Sequence, residues 1–193
     1  MKQPQNTGEA AVPEDLLDSV YPEILGKYHL SVNRRWGCYD VYGLLNLEEN
    51  DREFKLNLNG ASVVYDFWNE SFGGIYTDIY QCKVSSRDIK VLRISPLLDH
   101  PQLLSTDMHI LQGAVEVQNV DWNVGECRLA VTCTRPKGEM GTVSLLVPKE
   151  YVPCDYEGIH TAMTKGGKYY ILTKRLNFDV VTRVFDIKFI KTD

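Results

Sequence analysis

From Tyr28 onward the chain alternates apolar and polar side chains in steps of two and never sustains a helical repeat. Successive side chains of an extended strand point to opposite faces, so this alternation describes strands with one buried face. In residues 52–59, Phe54, Leu56 and Leu58 alternate with Glu53, Lys55, Asn57 and Asn59. In 126–135, Cys127, Leu129, Val131 and Cys133 alternate with Arg128, Ala130, Thr132 and Thr134. Val143, Leu145 and Val147 take the apolar side of 141–147, and Phe185, Ile187 and Phe189 alternate with Asp186 and Lys188. Gly, Pro and Asn punctuate roughly ten to twelve such segments at spacings of about 8–12 residues, the pattern of an all-β chain. So many one-sided strands need two packed sheets. The expected fold is an antiparallel β-sandwich, as one unit or as two packed β subdomains.

Asn59-Gly60 supplies residues suited to a type I′ turn, which predicts a hairpin between 52–59 and 62–68. In 37–47, Tyr39, Val41, Leu45 and Leu47 share one face, and Cys38, Asp40, Tyr42, Leu44 and Asn46 share the other. That mixed second face is expected to be partly covered too, which predicts a central strand. Ile89, Val91, Leu92 and Ile94 form a strand that Pro96 stops; a polar crossing follows, and β-structure resumes at 114–117. The crossing divides a first β half, 24–98, from a second, 99–193, expected to continue it as one sandwich unit. Ahead of them, 1–23 reads as a leader or linker: 1–12 has almost nothing to bury. At Pro13 a short helix is expected, with Glu14 and Asp15 near its positive end, Leu16, Leu17 and Val20 on one side, and Pro22 ending it. Residues 148–167 read as irregular, with a short strand around Ile159.

Charge and cysteine content narrow the function classes. Twenty-one Lys and Arg against 26 Asp and Glu leave a net charge of −5, with no basic cluster. A nucleic-acid or anionic-membrane partner is disfavoured, since either needs a positive stripe. No apolar run approaches the roughly 20 residues of a spanning helix, and the first residues lack a signal-peptide core. Read as a complete chain, the protein is expected in the cytoplasm; a fragment carries no such information. Cys38, Cys82, Cys127, Cys133 and Cys154 show no metal spacing and read as reduced thiols. No metal or other cofactor is expected.

Glycoside hydrolysis needs two carboxylates held about 5–10 Å apart, one with a raised pKa. Asp40, Asp66, Glu70, Asp78, Asp107 and Glu116 are candidates, but they fall in turns and on outward strand faces, where acids are ordinary solvated residues. Nucleophile elbows, His-Glu-x-x-His and glycine-rich phosphate loops are absent. The four histidines are dispersed. His109, after Ser105-Thr106-Asp107, has two readings: Asp107 and His109 contact a ligand or neighbouring domain, or the polar residues fix the loop while His109 packs beneath them. Trp68, Phe72 and Tyr76, with Trp36, are the carbohydrate-contact candidates, because sugar rings stack on flat exposed side chains; plugging the ends of the core is the competing role.

The segment Trp36-Gly37-Cys38-Tyr39-Asp40-Val41-Tyr42-Gly43-Leu44-Leu45-Asn46 resembles the strand that begins the C-terminal β-sandwich of α-galactosidase-like (melibiase and raffinose-synthase-like) glycoside hydrolases. Tyr65-Asp66-Phe67-Trp68 with Phe72-Gly73-Gly74, Val91 to Pro96, and Leu103-Leu104-Ser105-Thr106-Asp107-Met108-His109-Ile110-Leu111-Gln112-Gly113 are similar to later segments of those domains. Leu45 stands where that strand often carries an aromatic, and residues after 150 carry no part of the resemblance. The resemblance implies an accessory domain packed on a catalytic (β/α)8 barrel. In such proteins the catalytic aspartates belong to the barrel, so no catalytic residue carries over. An independent carbohydrate-binding module is the alternative, and a small all-β enzyme with dispersed carboxylates a third.

Overall fold

The computed structural model describes residues 12–13 and 26–192. Those residues are all-β, with antiparallel pairing throughout the described ladders and no helix among them. The chain divides into two compact units, one holding Cys38–Leu97 and the strand before it, the other Leu98–Asp193 together with Arg34–Gly37.

The first unit holds β1 (Val12–Pro13), β2 (Lys27–Arg34), β3 (Gly37–Asn46), β4 (Arg52–Asn57), β5 (Ser62–Asp66), β6 (Ser71–Tyr76), β7 (Ile79–Val84) and β8 (Asp88–Pro96). One sheet runs β1-β2-β3-β8-β5-β6; the other pairs β4 with β7. Leu44, Val64, Leu92 and Ile94 from the large sheet meet Phe54, Leu56, Tyr80 and Val84 from the small one in a single core. Each fully buried leucine there contributes about 1.5–3 kcal/mol relative to exposure. Leu30, Val32, Val41, Val63 and Val91, which alternate with these positions or with polar ones, are buried as well.

Two expectations are corrected here. β4 does not form a hairpin with β5: it pairs with β7, Phe54 opposite Cys82 and Leu56 opposite Tyr80, while β5 pairs with β6 and β8. Of the Asn59-Gly60 pair, Gly60 alone takes a positive φ, 83°, so the type I′ geometry is not formed. The chain instead changes layers there, Leu58 N–H donating to Asp78 and Leu97 N–H to Ala61. Alternation puts Phe54, Leu56 and Val64 toward a common core but does not say whether they meet side by side or across two sheets. The expected helix at Pro13 is also replaced at its start: Val12 and Pro13 pair with His29 and Tyr28 on an edge strand, where a proline without an N–H is tolerated. Its remaining positions, 14–22, and nearly all of the leader lie outside the described residues.

The second unit holds β9 (Gln102–Thr106), β10 (Val117–Asn123), β11 (Arg128–Thr134), β12 (Met140–Pro148), β13 (Tyr151–Pro153), β14 (Ile159–Met163), β15 (Tyr169–Asn177) and β16 (Thr182–Lys191). Its sheets run β10-β11-β16-β13 and β14-β15-β12-β9. Leu129, Val131 and Cys133 of β11, Val143, Leu145 and Val147 of β12, and Phe185, Ile187 and Phe189 of β16 share one core, on the faces that alternation assigns them.

The polar crossing contains a strand that its composition hides. All five residues of β9 are buried, and it pairs with β12. Its polar side chains are satisfied internally: Gln102 Oε1 accepts from Leu98 N–H at 2.8 Å, Ser105 Oγ donates to Gln112 Oε1 at 3.0 Å, and Thr106 Oγ1 donates to the Glu116 carboxylate. Ala114 to Glu116 remain in the turn, so β10 begins at Val117. Within residues 148–167 the short strand expected around Ile159 is β14, and β13 is a further strand that composition does not suggest.

Candidate functional site

The two-stranded sheet is too short to cover the whole face of the six-stranded one. Period two places Cys38, Asp40, Tyr42 and Leu44 on the same side of β3; Leu44 lies in the core, whereas Tyr42, Asp40 and Cys38 line a cleft. His29, Ser31 and Asn33, which alternate with Leu30 and Val32, form its β2 wall. Asn57, Leu58 and Asn59, where β4 ends, also contribute to the lining, with Ile94 and Pro96 of β8 as its apolar part. Its volume is about 390 Å³, within the range of small-ligand sites.

Asp40 is the polar centre. Its Oδ1 lies 2.8 Å from His29 Nε2 and accepts from Ser31 Oγ at 2.7 Å, and the Ser31 hydroxyl is 3.3 Å from the same Nε2. The His29 ring stacks on Tyr42 at 4.5 Å with 7° between planes. A Ser–His–Asp relay requires the imidazole to hold the acid with one nitrogen and accept the serine proton with the other. Here both contacts converge on Nε2. A carboxylate only accepts, so Nε2 carries its proton toward Asp40 and cannot also act as base for Ser31. The trio orients side chains; it is not wired for nucleophilic attack.

The candidate acids are separated from one another by structural duties, and two are not on solvated faces as expected. Asp66 is 6% exposed. Its Oδ2 accepts from Asn69 Nδ2 at 2.9 Å and pairs with Lys90 Nζ at 3.0 Å, while Oδ1 accepts the Asn69 backbone N–H at 3.3 Å. Burial is the largest single influence and raises its pKa, but the hydrogen bonds from Asn69 and Lys90 together hold the carboxyl below the usual range. A general acid for glycoside cleavage needs the reverse. Glu116 is buried too, tied to Thr106. Residue type does not show such burial: Asp66 is buried by its place at the end of β5, and Glu116 by the turn ahead of β10. Glu70 and Asp78 lie in exposed turns, Glu70 at φ 47°.

Asp107 Oδ1 accepts from Thr142 N–H at 2.6 Å, and Asp107 N–H donates to Thr142 O at 3.2 Å, so this side chain extends the β9–β12 ladder. His109 is buried, its Nδ1 accepting from Leu111 N–H at 3.1 Å. Both contacts fix the loop.

The aromatic candidates are not brought onto one surface. A bulge between Val64 and Tyr65 pairs Phe72 with Tyr65 but Tyr76 with Ser62. Ser62 and Tyr65 are three apart in one strand, so Phe72 and Tyr76 face opposite sides of the sheet. Tyr76 meets Tyr80 edge-on at 5.0 Å, and Trp68 is 54% exposed in the β5–β6 turn. Trp36 belongs to the second unit, its Nε1 donating to Val117 O at 3.1 Å.

The cleft residues His29, Ser31, Asn57 and Asn59 were not legible as a group, although the mixed second face of residues 37–47 signalled a surface neither wholly buried nor wholly solvated. Among the described residues no group of three or more His, Cys, Asp or Glu is placed to hold a metal ion, and no helix is long and apolar enough to cross a membrane. Neither a scan of protein-family models nor a search of curated proteins finds a match to the chain.

Proposed function

We propose that the chain is a non-catalytic β-sandwich domain of a glycoside-hydrolase-like, carbohydrate-active protein, supporting its catalytic barrel. The reading draws on the resemblance of residues 36–46, 65–74, 91–96 and 103–113 to that family's C-terminal domain, and on opposed antiparallel sheets sharing one core in each unit. The observation that carries the non-catalytic part is Asp66, a buried carboxyl whose pKa is held low by Asn69 and Lys90 rather than raised for acid catalysis. Incubation of the chain with aryl α- and β-glycosides is expected to give no turnover. Hydrolysis abolished by Asp66→Asn or Asp107→Asn would overturn the reading. A stacking platform of Trp68, Phe72 and Tyr76 has less support, because the bulge puts the last two on opposite faces.

A further inference from the structure

We infer that β14 is the surface through which two copies of this chain pair, edge to edge, across a twofold axis at Thr161. The accessory-domain reading requires no self-association, so this inference stands apart from it. β15 is the ladder partner of β14 on one side, and the opposite edge of β14 is unpaired among the described residues. A strand edge offers a row of backbone donors and acceptors to any strand that fits, so exposed edges usually carry a bulge, a proline, a charge or a cover. The other edges of the second unit have such guards. β10 has a bulge between Val117 and Asn119 and carries Asp121, β13 is three residues long and ends in Pro153, and β9 is buried. β14, Ile159-His160-Thr161-Ala162-Met163, runs in unbroken register and holds no proline, carboxylate, lysine or arginine.

Thr164 N–H donates to Tyr169 O at 3.0 Å, which fixes the parity of the β14–β15 ladder. Hydrogen-bonded and non-bonded pairs alternate in an antiparallel ladder. His160 and Ala162 therefore turn their backbone groups to Thr173 and Ile171 of β15, and Ile159, Thr161 and Met163 turn theirs to the open edge. Tyr156 O accepts the Ile159 N–H, so the outward groups are the Ile159 carbonyl and both groups of Thr161 and Met163. A second β14 laid antiparallel, Thr161 opposite Thr161, exchanges two backbone bonds at the axis, and each Met163 N–H reaches the Ile159 carbonyl of the other copy. The side chains fit the same register. Thr161 and Met163 lie opposite the core residues Leu172 and Tyr170 and share their side of the sheet, yet both are exposed, Met163 at 65%. Ile159, on that side too, packs against the edge of the core. Pairing about Thr161 sets Met163 beside Ile159 of the second copy at each end, with a threonine pair between them, both favourable across strands. The same count brings Glu157 level with Lys165 of the second copy, so opposite charges oppose at both flanks and no like charges oppose within 157–165. Such self-complementarity is what an isologous interface requires and an unrelated partner strand does not, which selects a second copy as the occupant.

A single strand edge buries less than the roughly 1,200–2,000 Å² of a standard stable interface, so the dimer is expected to be weak, with a Kd on the order of 100 µM. Sedimentation equilibrium of the full chain from about 1 µM to about 1 mM should read a mass rising from monomer toward dimer. Thr161 faces its own copy, so a charge placed there repels itself. Thr161→Lys and Thr161→Glu should each weaken self-association by about tenfold or more, whereas an equimolar mixture of the two should associate at least as tightly as wild type. Both variants change an exposed side chain, and unchanged far-UV circular dichroism of the dilute monomers checks their fold. In the wild type, amide exchange at Thr161 and Met163 should slow with concentration more than at His160 and Ala162, whose backbone groups face β15. The inference is overturned if the chain stays monomeric at about 1 mM, or if self-association survives either charged variant. It is equally overturned if the mixture of the two variants fails to associate. None of these results bears on the turnover assay above.

Discussion

Lys90 Nζ lies 3.0 Å from Asp66 Oδ2, joining β8 to the end of β5 through a carboxylate that is almost wholly buried. Replacing Asp66 by Asn keeps the shape and removes the charge, leaving the half-buried ammonium without its counter-ion. A loss of about 1–3 kcal/mol at pH 7 is expected from denaturant unfolding. Because the folded-state pKa is depressed, the contribution is present above the unfolded value of about 3.9 and disappears as pH falls through the folded one. The gap between wild type and Asp66→Asn should therefore close below about pH 4. A gap of constant size from pH 7 to pH 3 would show that the charge is not what stabilises this corner.

Asp107 substitutes a side-chain oxygen for a strand backbone acceptor, taking Thr142 N–H at 2.6 Å. Asp107→Ala leaves that amide to water at the end of the β9–β12 ladder. The expected cost is about 0.5–1.5 kcal/mol, with hydrogen exchange accelerated at Thr142 more than at Val143 or Leu145. Uniform acceleration along β12 would mean that the loop, and not this contact, closes the ladder.

What alternation reveals is a strand's facing, and what it conceals is its neighbour. In β11 and β16 one side meets core and the other solvent, so Leu129, Val131, Phe185 and Ile187 declare their burial in sequence. β9 is buried on both sides, and its Gln102, Ser105 and Thr106 look like loop residues because the groups that satisfy them are Leu98, Gln112 and Glu116. Local pattern cannot register a partner whose position depends on the turn that follows. The β4–β7 pairing is hidden for a related reason: an entire hairpin, β5–β6, intervenes between the two partners. The cleft depends on the same layer change, since residues 57–59 reach its lining only because β4 belongs to the other sheet.

The cysteines should separate by burial. All five are free thiols. Burial, reinforced by the charge of Glu116, pushes the Cys133 thiol up to about 12, whereas Cys38 and Cys154 are exposed. With an aromatic disulfide reagent at pH 8, Cys38 and Cys154 are expected to react first. Cys133, its thiol held protonated by burial and without access, should wait for unfolding. Early labelling of Cys133 in the folded protein would contradict its place in the core.

Gly141 in β12 packs against Met108, and a Cβ built there would lie 2.2 Å from Met108 Cγ and 2.6 Å from Sδ. Both residues are buried, and the nearer atom is close to the methionine backbone, so rotating the thioether tip does not relieve the clash. Gly141→Ala is expected to destabilise by about 1–3 kcal/mol through overpacking, despite the better strand propensity of alanine. Met108→Ala alone leaves a cavity and costs about 2–5 kcal/mol. Combined, the two changes should cost less than their sum, because the alanine methyl occupies part of the space the thioether vacates. A double-mutant cycle by thermal unfolding measures this coupling. Strict additivity would place the strain of Gly141→Ala in the β12 backbone instead of at Met108.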